Sequence, residues 1–422
     1  MTISPRDAHV QGPLAGTRVL DLSRVLAGPL CAQYLGDMGA DVIKVETTGA
    51  GDDTRSWPEF RAGAEGHRVS GPFLSANRNK RSIALDLKSD AGREVVHKLA
   101  ANADVVIESF APGVAARLGV DAAALRAINP RLVYCAISGF GSVGPMREGK
   151  GYDLILQAFS GMLSITGDAN SPPMRSPFSP VDQGTGLHAL IGILAALLRR
   201  STTGVGGTVE ASLFDTSAAF LGYFLQNYWE TGREPVKAGV GHASLCPYGA
   251  FETADKLLIV GVANDVLWAK FCAITGLDNN FALRVLATNA ERVKRRAETE
   301  ALVRQALSTH ERAHWIPLLD AAGIPCSAVH NLGEMSAHPH FEASGMLMRH
   351  EHPLFGQLKG VAQPLRFDGE RGAQRRPPPL CGEHTVEILR EMGMPAPAIQ
   401  GLLDEGVVSV PRAAAVPADA TA

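Results

Sequence analysis

The chain has 422 residues, 45% of them apolar and 20% charged, with a formal net charge of −3. That length suits a large core and more than one domain, and the charge balance argues against a nucleic-acid or membrane-surface partner. The opening MTISPRDAHVQG lacks a signal peptide's basic start and apolar centre, and the apolar run Leu187 to Leu198 falls short of the roughly 20 residues a bilayer needs. Strand and helix signals then alternate. TRVLDLS (Thr17 to Ser23) reads as a strand, a Gly-Pro turn leads into the helical LCAQYLGDMGA, and DVIKVE (Asp41 to Glu46) reads as the next strand. RSIALDL, the helix SDAGREVVHKLAANA, DVVIESF, AAALRAINP and RLVYCAISGFG continue the pattern. Such alternation predicts an α/β layer with a mostly parallel sheet, whose ligands gather at the carboxyl ends of the strands.

The first strand–turn–helix unit carries SRVLAGP instead of GxGxxG, so a Rossmann-like fold is expected without a dinucleotide cradle. A helix from Gln183, a strand and another helix follow. The Gly- and Pro-rich stretch Glu230 to Gly249 reads as a linker. GAFETADKLLIVGVAN is a predicted hairpin, with helices over DVLWAKFCAITGL and ERVKRRAETEALVRQALS. The expected organisation is a large domain over 12–229, a smaller α+β domain over 239–331, a C-terminal part over 355–400 returning to the large domain, and a disordered tail over 401–422. Six cysteines (Cys31, Cys135, Cys246, Cys272, Cys326, Cys381) are scattered, with no CxxC pair and no His cluster at metal spacing. No metal is expected, and reduced thiols point to a cytoplasmic protein.

Asp182, in SPVDQGTG, has two readings. As a plain N-cap it would accept from an orphan backbone N–H, ahead of a helix burying Leu187, Leu190, Ile191, Leu194 and Leu198 on one face. As a reactive carboxylate it would be kept ionised by the helix macrodipole, worth about 0.3–1 kcal/mol. The turn Gln183, Gly184 and Gly186 would then offer backbone N–H groups to a developing oxyanion. Local sequence does not separate the two.

Several long blocks in order do: GPLAGTRVLDLSRVLAGPLCAQYLGDMGADVIKVE, GDDTR, NRNKRSIALDLK, GYDLILQAFSGMLSITGD, VDQGTGLHALIGILAALLRR and GEHTVEIL. From about Gly12 to Met392 the chain resembles the class III CoA-transferases, a family that also holds α-methylacyl-CoA racemases and carnitine CoA-transferases. The resemblance implies that Asp182 is the nucleophile. It would attack a donor thioester to give an aspartyl anhydride, then an enzyme-CoA thioester, before the acceptor acid reverses the steps. Racemases of the family carry His and Glu where this chain has Tyr152 and Asn264, which suit proton exchange poorly. Asp265 beside Asn264 keeps a racemase or isomerase as the alternative, and a non-catalytic CoA-binding protein as a second.

Formyl-CoA transferases have glutamine where this chain has Leu26, so a larger acid is expected, such as succinate or a C4–C5 dicarboxylate. Arg24, Arg55 and Arg175 are candidates for its second carboxylate. By resemblance, coenzyme A enters as substrate and product thioester. Its expected contacts are Val25, Leu26, Ala27 and Thr47, then Leu85, Asp86 and Lys88. They continue through Ser109, Phe110, Ala111 and Arg117 to Lys150, Gly151, Tyr152 and Asp153. Lys88, Arg117 and Lys150 suit its phosphates; Thr47 and Ser109 depart from the family, which often has a cation and an asparagine there. An interlocked homodimer acting on acyl-CoA and carboxylic acids is also implied.

Overall fold

The computed structural model describes residues 12–277 and 281–411. Its described residues form two compact units: one holds 12–160, Pro177–Gly222 and 339–411, the other Gly161–Ser176 and Tyr223–His338.

The first unit is built on a sheet of seven strands: β1 (Arg18–Asp21), β2 (Asp41–Glu46), β3 (Lys80–Leu85), β4 (Val105–Glu108), β5 (Val133–Ser138), β6 (Gly207–Ser212) and β7 (Val408–Ser409). Their order is β7-β3-β2-β1-β4-β5-β6. β1 to β6 run parallel, with Leu20 beside Ile43 on one side and Val106 on the other. Val19, Leu20, Ile43, Ile83, Val106 and Val133 are all buried, as both faces of a parallel sheet require. The connections include α1 (Ala27–Asp37), α2 (Asp90–Ala100), α3 (Asp153–Phe159), α4 (Pro180–Thr203) and α5 (Leu213–Phe220). β1 and β4 are neighbours although the chain makes two strands between them, so strand order reverses there. A crevice opens at such a switch point, between the loops that leave the two strands.

Three expectations change. The segment Gly161–Ser176, expected in the large domain, belongs to the second unit, which also begins earlier and ends later than 239–331. The tail is not featureless from 401: a helix spans Ala396–Asp404, and β7 pairs antiparallel with β3 and buries Val408. Residues 412–422 lie outside the described residues.

The third change concerns α4. Its inward face consists of Gly184, Thr185, Gly186, Ala189, Leu190, Ile193 and Ala196, whereas Leu187, Ile191 and Leu198 point outward. Small residues win the inner face because α1 packs very close: a Cβ on Gly186 would lie 2.5 Å from the Ala27 carbonyl oxygen. By length and composition α4 could cross a membrane, but it packs along α1 and β6.

The second unit contains the predicted hairpin, Tyr248–Glu252 with Leu257–Gly261, to which Cys326–Ala328 adds as a third antiparallel strand. Helices Asp265–Thr275 and Arg296–Leu307 contribute to its core around Trp268, Phe271 and Leu307. The strand-like pieces after Ser336 form a separate two-stranded ribbon, Leu347–His352 with Gly356–Val361.

Candidate active site

Asp182 is the third residue of α4, and it does not cap the helix. Proline at the first position and Ser179 in a left-handed conformation open α4 without a side-chain cap from Ser179. The capping acceptor comes from α3: the Asp153 Oδ2 accepts from the N–H of Val181 at 2.9 Å and of Asp182 at 3.2 Å. Gln157 donates to the other Asp153 oxygen. The Asp182 carboxylate has no hydrogen-bond partner among the described residues. Burial, and then the charge of Asp153, push its proton affinity up to about 7. This overturns the expectation of a carboxylate kept ionised by the macrodipole, because desolvation outweighs that small term.

The turn assigned to Gln183, Gly184 and Gly186 is helix interior. The Gln183 N–H bonds to the Ser179 carbonyl, and the glycines have packing reasons. A Cβ on Gly184 would collide with Phe220 and Thr216 of α5, and one on Gly186 with α1. These residues are therefore not exposed donors in a turn. Across the cavity, α1 starts with no side-chain cap, leaving first-turn donors near Leu26 and Ala27.

Asp182 opens into a cavity of about 200 Å³. Arg24, Val25, Leu26 and Ala27 line it from the loop after β1; Ser109, Phe110 and Ala111 line it from the loop after β4. Lys150, Gly151 and Tyr152 complete the wall. Asp153 does not face this space, since its carboxylate is committed to α4 and Gln157; its expected side-chain contact with coenzyme A is withdrawn. Val25 has φ of 70°, an uncommon backbone state for a β-branched residue.

Buried ions hold the loop that carries Val25. Asp21 accepts from the Ser23 N–H at 3.0 Å and from Lys80 Nζ at 2.9 Å, while Lys44 Nζ donates to the Ser23 carbonyl at 3.0 Å and pairs with Asp52 at 2.9 Å. Lys80 also donates to the Pro29 carbonyl and Asn77. Burial pulls its pKa down to about 8, against the opposing pull of Asp21. These partners satisfy charges that would be very costly alone.

A larger cavity of about 480 Å³ adjoins the first through Arg24 and Phe110, which line both. Its wall is apolar, with Leu22, Val45, Leu85, Leu87, Val114 and Leu118, and it also takes in Thr47 and Asp86. Lys88, Arg93 and Arg117 supply cations. Apolar walls for a flat base, cations for phosphates and a passage toward a carboxylate fit a nucleotide thioester such as acyl-CoA. Arg93 was missed by sequence reasoning; its signal was a cation in the first turn of α2, directly after β3, where ligands collect. Lys44, buried in the same wall, was missed too.

The candidate arginines separate. Arg55 is largely enclosed, bonded twice to Glu46 at 2.7 Å and to the Pro379 carbonyl, and lies 3.7 Å over the Phe73 ring. It is structural, which corrects its assignment to substrate. Arg24 is half exposed and loosely paired with Asp53 at 3.4 Å. Arg175 is exposed in the second unit. Also in that unit, Asn264 caps a helix, and Asp265 pairs with the buried Arg292. Among the described residues there is no cluster fit to hold a metal.

Comparison with known proteins agrees with this geometry. The family model CoA-transferase family III matches residues 14–385. The chain is 36% identical to the human succinyl-CoA:glutarate CoA-transferase, over 94% of this chain and 90% of that one. It is 38% identical to the succinate–glutarate CoA-transferase of Agrobacterium fabrum, over 90% and 96%. A crystal structure of a CAIB/BAIF family protein from Brucella suis superposes with a TM-score of 0.82 at 36% identity, covering 90% of this chain and 99% of that one. The chain is thus a transferase, a member of CoA-transferase family III.

Proposed function

We propose that the protein moves CoA from an acyl-CoA to a free dicarboxylic acid of succinate to glutarate size, with Asp182 as nucleophile. One observation carries this reading: Asp182 is a half-buried carboxylate with no hydrogen-bond partner among the described residues, opening into a cavity that adjoins the cation-rimmed slot. An Asp182 oxygen attacks the donor carbonyl; the C–S bond breaks, leaving an aspartyl anhydride and CoA thiolate. The thiolate attacks the aspartyl carbonyl and releases the donor carboxylate, and Asp182 then carries CoA as a thioester. The acceptor carboxylate attacks that thioester, and the returning thiolate takes the new acyl group, restoring Asp182.

The names of the human and Agrobacterium relatives support the choice of acids. Arg24 supports it as well: its partner Asp53 is half exposed and held at 3.4 Å, so a substrate carboxylate can replace it bidentately. Exposed apolar side chains on α3 and α4 support a homodimer, and six cysteines that form no disulfide support a reducing, cytoplasmic compartment.

Mass spectrometry tests the reading. Incubation with succinyl-CoA followed by hydroxylamine should convert Asp182 to its hydroxamate, and borohydride should reduce it. If a broad panel of acyl-CoA donors leaves the Asp182 peptide unmodified, the proposal fails.

A further inference from the structure

Asp153 is a buried carboxylate with no cation partner among the described residues. Its Oδ2 receives two backbone N–H groups from the start of α4, and its Oδ1 receives Gln157. Ser179, at the normal capping position, makes no such bond. The element that caps α4 therefore comes from another helix, and Asp182 is spared the task that its position and residue type would ordinarily give it.

We propose that Asp153 is a positioning residue for CoA transfer: by capping α4 in place of Asp182, it fixes the first turn and leaves the Asp182 carboxylate unbonded at the cavity. The inference rests on Asp182 being the nucleophile. A second effect follows from the same placement. A nearby negative charge disfavours ionisation of a carboxyl, and the Asp153 charge is the interaction that adds to burial in raising the Asp182 carboxyl. A carboxylate with higher proton affinity is a stronger nucleophile once ionised, so Asp153 raises reactivity at the expense of the ionised fraction below pH 7.

The other charged groups around Asp182 do not duplicate this role. Arg24, Asp53, Lys150 and Tyr152 line its cavity, and Arg24 with Asp53 form a compensated pair. α1 has no charged side chain before Asp37. The Asp215 of α5 lines no part of the cavity, Glu210 of β6 is bonded to Ser142, and His188 of α4 is bonded to Thr216. Asp153 is the only ionisable side chain of α3.

The test compares Asp153→Asn and Asp153→Ala in the full chain, reading kcat and kcat/KM for succinyl-CoA between pH 5 and 9, with Tm as a folding control. Asparagine keeps an acceptor for α4 and removes the charge; Gln157 can turn its amide to suit. The acid limb of kcat/KM should move down by about one pH unit in Asp153→Asn. Asp153→Ala loses the cap as well, and its kcat should fall about tenfold or more while KM for the acyl-CoA stays within about threefold. An acid limb in Asp153→Asn that coincides with the wild type overturns the inference, as does an unaltered kcat in a folded Asp153→Ala. If Asp153→Ala does not fold, the pH profile of Asp153→Asn decides alone. Failure to trap an Asp182 adduct in the wild type would sink the underlying reading; a normal adduct with an unshifted limb would sink only the role of Asp153.

Discussion

The Asp182 carboxylate shows what a residue's type and position reveal and what they hide. Its place before an apolar run was legible, and so was the choice between cap and nucleophile. What was not legible was that Asp153, 29 residues earlier in the chain, had taken the cap. That contact depends on how α3 and α4 meet, which no local pattern encodes. Two predictions belong here. Asp182→Asn should lower kcat by about 10³-fold or more and should at the same time stabilise the fold at pH 8. The sign follows from its folded value of about 7 against an ordinary 3.8: the folded state binds the proton more tightly, so above pH 7 it must hold a costly charge that the unfolded chain solvates. The gain from asparagine should therefore appear as a higher Tm at pH 8, by about 2 °C or more, and shrink as pH falls through 7 toward 4. Arginines divide in a similar way. Arg55→Leu leaves Glu46 buried and unpaired and should cost about 3–5 kcal/mol of stability. Arg24→Gln should leave Tm nearly unchanged and raise KM for a dicarboxylate acceptor more than for a monocarboxylate one. A Tm loss in Arg24→Gln equal to that in Arg55→Leu would put both in the scaffold.

Elements were easier to read than their contacts. The parallel strands declared themselves as short apolar runs, because burial on both faces leaves no room for polar alternation. The hairpin beginning at Tyr248 was visible for a related reason, a turn between two strand patterns. The inward face of α4 was misread in part: Leu190 is buried as expected, but Leu187, Ile191 and Leu198 point outward and the glycines assigned to a turn lie inside. Where two helices approach this closely a small residue is needed at the contact: α4 offers Gly186 against the Ala27 carbonyl of α1. Gly186→Ala should therefore push α4 away from α1, costing about 1–3 kcal/mol and lowering kcat, since Asp182 and Leu26 sit on the two displaced ends. Gly184→Ala is the useful contrast. Its added methyl meets side-chain atoms, the outer ring atoms of Phe220 and the Thr216 methyl, instead of backbone, and Phe220 is 44% exposed, so the loss in Tm should be smaller. Helix propensity alone would make both substitutions gains, so equal losses would show that the α1 contact is not what distinguishes the two positions.

At the scale of the whole molecule, α4 turns several large side chains outward. Ile191 is 63% and Leu198 71% exposed, and α3 adds Leu154, Ile155 and Phe159. Exposed apolar residues gathered on one region of a protein mark a binding face more often than isolated ones do. The proposed homodimer would bury this face, because these residues occur in every copy at the same place and a twofold axis would pair like with like. Sedimentation velocity at micromolar concentration should give twice the chain's mass. Replacing Ile191 and Leu198 together by lysine adds two charges to a surface that the first unit does not use for its own folding, so circular dichroism and the β-sheet core should be retained. The variant should then sediment as a single chain, with unfavourable desolvation of the lysines opposing association. A wild-type protein that sediments as one chain, or a lysine variant that still sediments as two, would leave this face with another purpose and remove the homodimer from the proposed function.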